Sequence, residues 1–308
     1  MQTRHMSVLQ NLQPGPQLNP YSALELIKPI TWFPPMWAYA CGAVSAGVET
    51  NSQIWLVALG VFLAGPVVCG MSQAANDWCD RHVDAINEPE RPIPSGRIPG
   101  KWGLWIALAM SCISLVIGYQ LGVWGFIATI LAVASAWAYS AEPLRLKKSG
   151  WLGPGLVALC YEGLPWFTGA AVITAAIPDA KIIIIAVLYA LGAHGIMTLN
   201  DFKALKGDRQ TGVRSLPVIL GPRLAAFVAC VTMAVPQFGI IILFYIWMGS
   251  SIFGIILSCL LIGQIWAMRK LLLNPKEKAP WYNRTGVLLY VIGMMASAFA
   301  LRSLEAGF

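Results

Sequence analysis

Six aspartates stand in this chain, and five of them fall into two short segments. The first runs Asn76-Asp77-Trp78-Cys79-Asp80-Arg81-His82-Val83-Asp84. Spacing of i, i+3, i+7 puts its three acids on one face of a helix. Three carboxylates on one face repel each other unless a cation neutralises them. The second segment runs Asn200-Asp201-Phe202-Lys203-Ala204-Leu205-Lys206-Gly207-Asp208. It repeats the Asn, the first Asp and the last Asp at a constant offset of 124 residues, with Ala204 where the middle acid would stand. Asp179 alone lies elsewhere. An acid at a helix end is most often simply solvated, but a repeat that gathers nearly every Asp of the chain argues against that reading for the pair.

Oxygen ligands without clustered His or Cys suit Mg²⁺ rather than Zn²⁺. Mg²⁺ is commonly held by one or two carboxylates while substrate phosphates complete its shell. Two facing acidic segments would therefore clamp a diphosphate through metal. Direct cations for the phosphates are available in Arg145, Lys147 and Lys148, and in Lys203 and Lys206. Arg makes bidentate phosphate contacts and Lys acts as a point charge. Asn76 either contacts a metal through its amide oxygen or orients a neighbouring acid. The Ala204 gap leaves unequal metal sites and a single-metal site both open.

The elements that position these residues are set by composition. The 308 residues are 57% hydrophobic and 11% charged, with a mean hydropathy of +0.65. A soluble domain carries roughly 25% charged residues. Lipid is the simplest medium in which such a chain buries its surface. Nine apolar runs approach the roughly 20 residues a spanning helix needs: about 30–48, 54–75, 103–119, 122–140, 152–173, 181–199, 224–246, 251–268 and 285–302. The expectation is an all-α, polytopic bundle, with residues 1–29 as an N-terminal segment and 30–308 as one transmembrane domain. Residues 1–29 lack the apolar core of a signal peptide, and within them 21–28 reads as a short interfacial helix or a partly ordered tail. Nine spans put the termini on opposite sides. Nineteen of the 21 Lys and Arg then share the side of the N-terminus, which marks that side as cytoplasmic. The net charge of +7 is thus a matter of orientation, and no nucleic-acid partner is expected. The seven Cys form no CxxC pair and read mostly as small buried residues.

Each acidic segment is followed by a second echo: Arg91-Pro92-Ile93-Pro94-Ser95-Gly96 against Arg214-Ser215-Leu216-Pro217. The chain therefore reads as two similar halves of about four spans, plus one. With the Tyr139…Pro143-Leu144-Arg145-Leu146-Lys147 segment after the fourth span, it resembles the UbiA superfamily of intramembrane prenyltransferases over nearly its whole length. The runs Gly195–Ala204 and Gly207–Pro217 resemble the chlorophyll and bacteriochlorophyll synthase branch of that superfamily, and its bacteriochlorophyll side more closely. This resemblance implies a UbiA-type helical bundle in the inner (cytoplasmic or intracytoplasmic) membrane. It implies transfer of a geranylgeranyl or phytyl group from its diphosphate to the propionate carboxylate of bacteriochlorophyllide, with Mg²⁺ as cofactor. Metal-binding and catalytic roles would fall to Asp77, Asp80, Asp84, Asp201 and Asp208. Substrate binding would fall to Asn76, Asn200, Tyr139, Arg145, Lys147, Lys203, Arg91 and His194. Association with other pigment-biosynthesis enzymes and contact with membrane lipid are further expectations. A carboxylate is already a nucleophile at neutral pH, so no strong general base is needed.

Lesser candidates follow from position. His194 lies seven residues before Asp201, near the same helical face. It would line the cavity, ligate the magnesium of the tetrapyrrole, or bond a neighbouring helix. His82 sits off the acidic face and reads as interfacial. Glu162, inside the fifth span, needs a partner or a wet cavity. Gln73, one turn before Asp77, extends the polar face inward. Trp32, Trp102, Trp151 and Trp281 suit an interfacial belt. The Pro-rich loop after the second span is long enough to cap the site, with Gly96 and Gly100 as hinges. A transporter is the main rival class, since repeated halves and polar residues in spans also fit one. Its site would sit near the midplane, whereas these acids cluster at one edge. Within the enzyme class the rival is prenylation of a quinone precursor or haem. A pigment-binding scaffold would not need the acidic repeat.

Overall fold

The computed structural model describes residues 19–305. Residues 1–18 of the expected N-terminal segment lie outside the described residues. A short helix α1 (Pro20–Leu26) opens the described chain, capped by the Asn19 side chain, which accepts from the Tyr21 amide at 2.9 Å. Helix is thus the outcome for the interfacial segment around 21–28. Lys28 then takes a left-handed conformation (φ 45°) and a 3₁₀ turn, Pro29–Thr31, leads into α2 (Phe33–Ala46).

Among the described residues, eight helices are long and apolar enough to cross a membrane. The remaining expected span, the first at about 30–48, is α2, whose 14 residues make a rod of about 21 Å, shorter than a hydrocarbon core of about 30 Å. Prolines at 29, 34 and 35 restrict where this helix starts, and Gly47 at φ +80° ends it. The next span is the opposite case. Helices α3 (Asn51–Phe62) and α4 (Gly70–Asn87) are joined by a π-helical turn, Leu63–Cys69, into one 37-residue helix, Asn51–Asn87. At about 55 Å it outruns the bilayer, so the last turns of α4 stand clear of the apolar region. Pro66 sits inside the π turn, where the altered hydrogen bonding absorbs its missing donor.

The expected separation of the third and fourth spans is present. Helices α5 (Trp102–Gln120) and α6 (Gly122–Ser140) are divided at Leu121, and Gly122 takes φ +81°, open to glycine without strain. Helices α7 (Leu152–Ala158) and α8 (Leu164–Thr174) again join through a π turn, Leu159–Gly163. Helix α9 (Ala180–Asn200) follows. The chain then breaks into a 3₁₀ turn, Asp201–Lys203, and short helices α10 (Leu205–Thr211) and α11 (Leu216–Ile219). Three long helices complete the bundle: α12 (Pro222–Met248), α13 (Ile252–Leu273) and α14 (Pro275–Glu305).

Small residues set the closest approaches, as they do between membrane helices. A Cβ on Gly42 of α2 would lie 1.9 Å from the Trp166 carbonyl oxygen of α8, and one on Gly169 would lie 2.2 Å from the Tyr39 carbonyl. The spans Leu152–Thr174 and Ala180–Lys203 are each 61% buried, against 22% and 17% for α5 and α6. The former are the centre of the bundle and the latter face outward. The core runs through Trp166, stacked on Tyr189 at 5.4 Å, with Tyr290 edge-on to Tyr189.

Candidate active site

The first acidic segment occupies the last turns of α4, and its three carboxylates share one face. That face is met by four cations from three different parts of the chain. Asp77, 1% exposed, accepts from Lys28 Nζ at 2.7 Å and from Arg91 Nη1 at 3.3 Å. Arg91 also bonds Asp84 at 2.8 Å and pairs with Glu88. Asp80 accepts from Arg145 Nη2 at 3.0 Å and pairs with Lys147. Removing one partner from a buried pair is expensive because it strands the other charge. These pairs therefore hold the loop 88–101, the segment 145–148 and the lead-in to α2 around one helix end. The same loop is tied to α1 by Arg97, which grips Glu25. Gly96 and Gly100, the expected hinges, take φ +76° and +57°.

The second acidic segment is built differently. Asp201 ends α9 in a 3₁₀ turn, and Asp208 belongs to α10, so the helix register shared in sequence is interrupted at Ala204. None of the ion pairs among the described residues involves Asp201 or Asp208. Asp208 accepts from the Ser215 hydroxyl at 2.6 Å. Burial pushes the Asp208 carboxyl above its ordinary value, partly offset by that hydrogen bond. Burial likewise pulls the Lys147 ammonium down, with Asp80 opposing the shift.

The two segments lie near each other in space. Helix α10 approaches the end of α4, so that a Cβ on Gly207 would lie 3.4 Å from Asn87 Nδ2. The Arg214 amide donates to the Lys148 carbonyl at 3.0 Å, strapping the chain after the second segment to the loop after α6. Tyr139 lies near the end of α6, one residue before Ser140. Asn76 donates to Ser140 Oγ at 3.3 Å, next to Tyr139. Asn200 turns instead to Asn283 of α14, accepting its amide at 2.8 Å. Lys203 and Lys206 are exposed. His194 contacts the Trp151 carbonyl at 3.2 Å and packs its ring against the Trp151 indole at 5.5 Å, so of its three expected roles the structure shows the bond to a neighbouring segment. His82 is exposed, and Glu162 is buried with Oε2 unpartnered.

Lys28, which in sequence is only one basic residue ahead of a span, sits on the most buried carboxylate of the site. A lone Lys ahead of a span carries no signal that separates membrane orientation from ion pairing. Two observations bear on a metal ion. The buried Asp77 Oδ2 has no hydrogen-bond partner. Among the described residues no three His, Cys, Asp or Glu side chains converge on one point. One or two carboxylates per ion, completed by phosphate oxygens, is the donor set Mg²⁺ prefers, and the residues present fit it.

A helical membrane bundle with paired acidic segments and a ring of cations at one edge is the architecture of a membrane-embedded protein with a charged site at the end of its spans. The chain belongs to the UbiA prenyltransferase family, whose model matches residues 31–298. It is 64% identical to the bacteriochlorophyll synthase 33 kDa chain of Cereibacter sphaeroides, over 97% of this chain and 99% of that one. It is 33% identical to the chloroplastic chlorophyll synthase of Oryza sativa subsp. japonica, over 90% of this chain and 76% of the relative. Among solved structures, a UbiA homolog from Archaeoglobus fulgidus bound to GPP and Mg²⁺ superposes with a TM-score of 0.69 at 19% identity, covering 92% of this chain and 99% of that one. The protein is thus a polyprenyl transferase and an integral membrane protein.

Proposed function

We propose that the protein transfers a geranylgeranyl or phytyl group from its diphosphate to the propionate carboxylate of bacteriochlorophyllide, releasing pyrophosphate. The observation that carries the acceptor is the 64% identity, along almost the full length of both chains, to a bacteriochlorophyll synthase. The geometry supports the donor. Lys28, Arg91, Arg145 and Lys147 already surround the acidic face of α4 and would exchange carboxylate for phosphate oxygens. Asp77, Asp80, Asp84, Asp201 and Asp208 would hold Mg²⁺, which supplies Lewis-acid charge to the departing pyrophosphate. Asp201 and Asp208, without cationic partners among the described residues, are the carboxylates most in need of it.

The C1–O bond to the diphosphate breaks, with its electron pair leaving on pyrophosphate. A carboxylate oxygen supplies the pair for the new C1–O ester bond. The apolar spans exclude water from the allylic cation character that develops at C1. The active-site edge and the N-terminus face the cytoplasm in this reading, and the C-terminus lies on the opposite side.

The test gives purified protein Mg²⁺ and geranylgeranyl diphosphate, with bacteriochlorophyllide or 4-hydroxybenzoate as acceptor. Esterified pigment in the first reaction alone is the expected result. A prenylated aromatic ring in the second would overturn the acceptor assignment.

A further inference from the structure

Beneath the acidic rim the spans carry a second, uncharged polar cluster. Gln73 precedes Asp77 by one helical turn and Cys69 precedes Gln73 by another, so all three share a face. Gln73 Nε2 donates to Tyr161 Oη at 3.2 Å. Cys69 Sγ lies 3.3 Å from Tyr161 Oη and 3.3 Å from the Thr31 carbonyl, to which it donates. The two π turns of the bundle, Leu63–Cys69 and Leu159–Gly163, therefore meet at the Cys69–Tyr161 contact. Thr31 in turn sends its hydroxyl proton to the Lys28 carbonyl at 2.8 Å, and Lys28 is on Asp77. The cluster is continuous with the rim.

Counting protons singles out one group. The Cys69 proton is taken by the Thr31 carbonyl, the Thr31 proton by the Lys28 carbonyl, and Gln73 acts as donor. The Tyr161 hydroxyl proton is left with the Cys69 sulfur, a weak acceptor. A phenol donor inside an apolar span that finds only a thiol sulfur as acceptor is poorly satisfied. Tyr161 is half-buried rather than sealed.

We propose that Tyr161 is the hydrogen-bond donor that receives the nucleophilic carboxylate of the acceptor, with Gln73 and Cys69 holding its hydroxyl in aim. This rests on the acceptor reading above. Depth supports it: one helical turn, about 5.4 Å, separates the level of Gln73 from that of Asp77. A diphosphate at the rim with its chain among the spans brings its first carbon down toward that level. A carboxylate drawn into an apolar span is costly unless a donor meets it, and a charge-assisted bond to a phenol is stronger than one to sulfur. The fixed hydroxyl would set one carboxylate oxygen against C1, a proximity effect. Tyr161 binds substrate in this account, while Gln73 and Cys69 are positioning residues.

The experiment titrates bacteriochlorophyllide as free acid and as its methyl ester against detergent-solubilised wild type, Tyr161→Phe and Gln73→Met, following the pigment absorbance without prenyl diphosphate. Wild type should prefer the acid. Tyr161→Phe should weaken the acid by about 10–100-fold, the range of a hydrogen bond to a charged group, and leave the ester unchanged. Gln73→Met should show the same selective loss to a smaller degree. In turnover, kcat/KM for the acceptor should fall by a comparable factor. Unchanged binding of geranylgeranyl diphosphate with Mg²⁺ certifies that each variant is folded. A Tyr161→Phe variant as selective for the acid as wild type overturns the role of Tyr161 alone. Wild type that binds acid and ester alike overturns the acceptor reading and this inference with it. If Tyr161→Phe does not fold, a Gln73→Met variant with undiminished selectivity overturns the inference.

Discussion

Asp77 and Asp201 are equivalent in sequence and opposite in setting. Asp77 is sealed against Lys28 and Arg91, so it carries structure as well as chemistry. Asp201 belongs to no ion pair among the described residues. Both Asp77→Ala and Asp201→Ala should lower kcat by more than about 10²-fold, the scale of lost transition-state charge stabilisation. Only Asp77→Ala should also lower the melting temperature of the metal-free protein, because it strands two cations. Thermal denaturation of both variants in detergent checks the distinction, and equal melting temperatures would refute it. Asp208 adds a pH dependence. Its carboxyl is raised by burial, so it keeps its proton to a higher pH than an exposed Asp. Metal binds the ionised form, and binding therefore releases protons. Mg²⁺ affinity should fall as pH falls, starting above the usual carboxylate range, and Asp208→Asn should flatten that slope. Mg²⁺ titrations near pH 8 and pH 6 measure it. Both acids were legible from spacing alone, whereas Lys28 and Cys69 were not. One basic residue ahead of a span looks the same whether it orients the protein or pairs a carboxylate. A Cys in an apolar run looks the same whether it fills space or accepts from a tyrosine.

At the scale of elements, hydropathy located the spans because lipid demands about 20 apolar residues in a row. It could not measure α2, where prolines and Gly47 confine an apolar run to 14 helical residues. Nor could it show the break at Ala204. The repeat of Asn and Asp suggests a second continuous helix end, and the chain instead turns there into α10. That break gives the two acidic segments different rigidity. The first rides on a 37-residue helix, and the second on short turns tied down by the Arg214–Lys148 backbone bond. The helix carrying the first segment is fixed in turn by the α2–α8 core beside it. Gly42→Leu would drive a side chain into the Trp166 carbonyl, 1.9 Å from the ideal Cβ position. With backbone on the far side no side chain can yield, so the variant should fail to give monodisperse protein on size-exclusion chromatography. Gly239→Ala, where a Cβ meets nothing within 4 Å, should elute as wild type. Similar profiles for the two variants would show that α2 and α8 are not in backbone contact.

For the whole molecule, the distribution of charge makes a claim about direction as well as depth. Arg91, Arg145 and Lys147 sit beside the acids of the site, and the loops that bear them belong to the edge to which a nine-span topology would assign most of the Lys and Arg. The opposite edge has little charge: Asp179 caps α9, Lys181 lies in its first turn, and Arg302 pairs with Glu49. Basic loops resist translocation, so the rich edge should remain cytoplasmic, where a water-soluble diphosphate headgroup would enter. Single reporter cysteines in an otherwise cysteine-free chain can read this, placed at Ser95 in the loop after α4 and at Ala176 ahead of α9. In sealed cells a membrane-impermeant maleimide should label the Ala176 reporter and spare the Ser95 reporter, and inverted vesicles should exchange the two results. Labelling of Ser95 in sealed cells would reverse the orientation. It would place the diphosphate site on the face away from the cytoplasm, while leaving the acidic geometry and the family membership as they are.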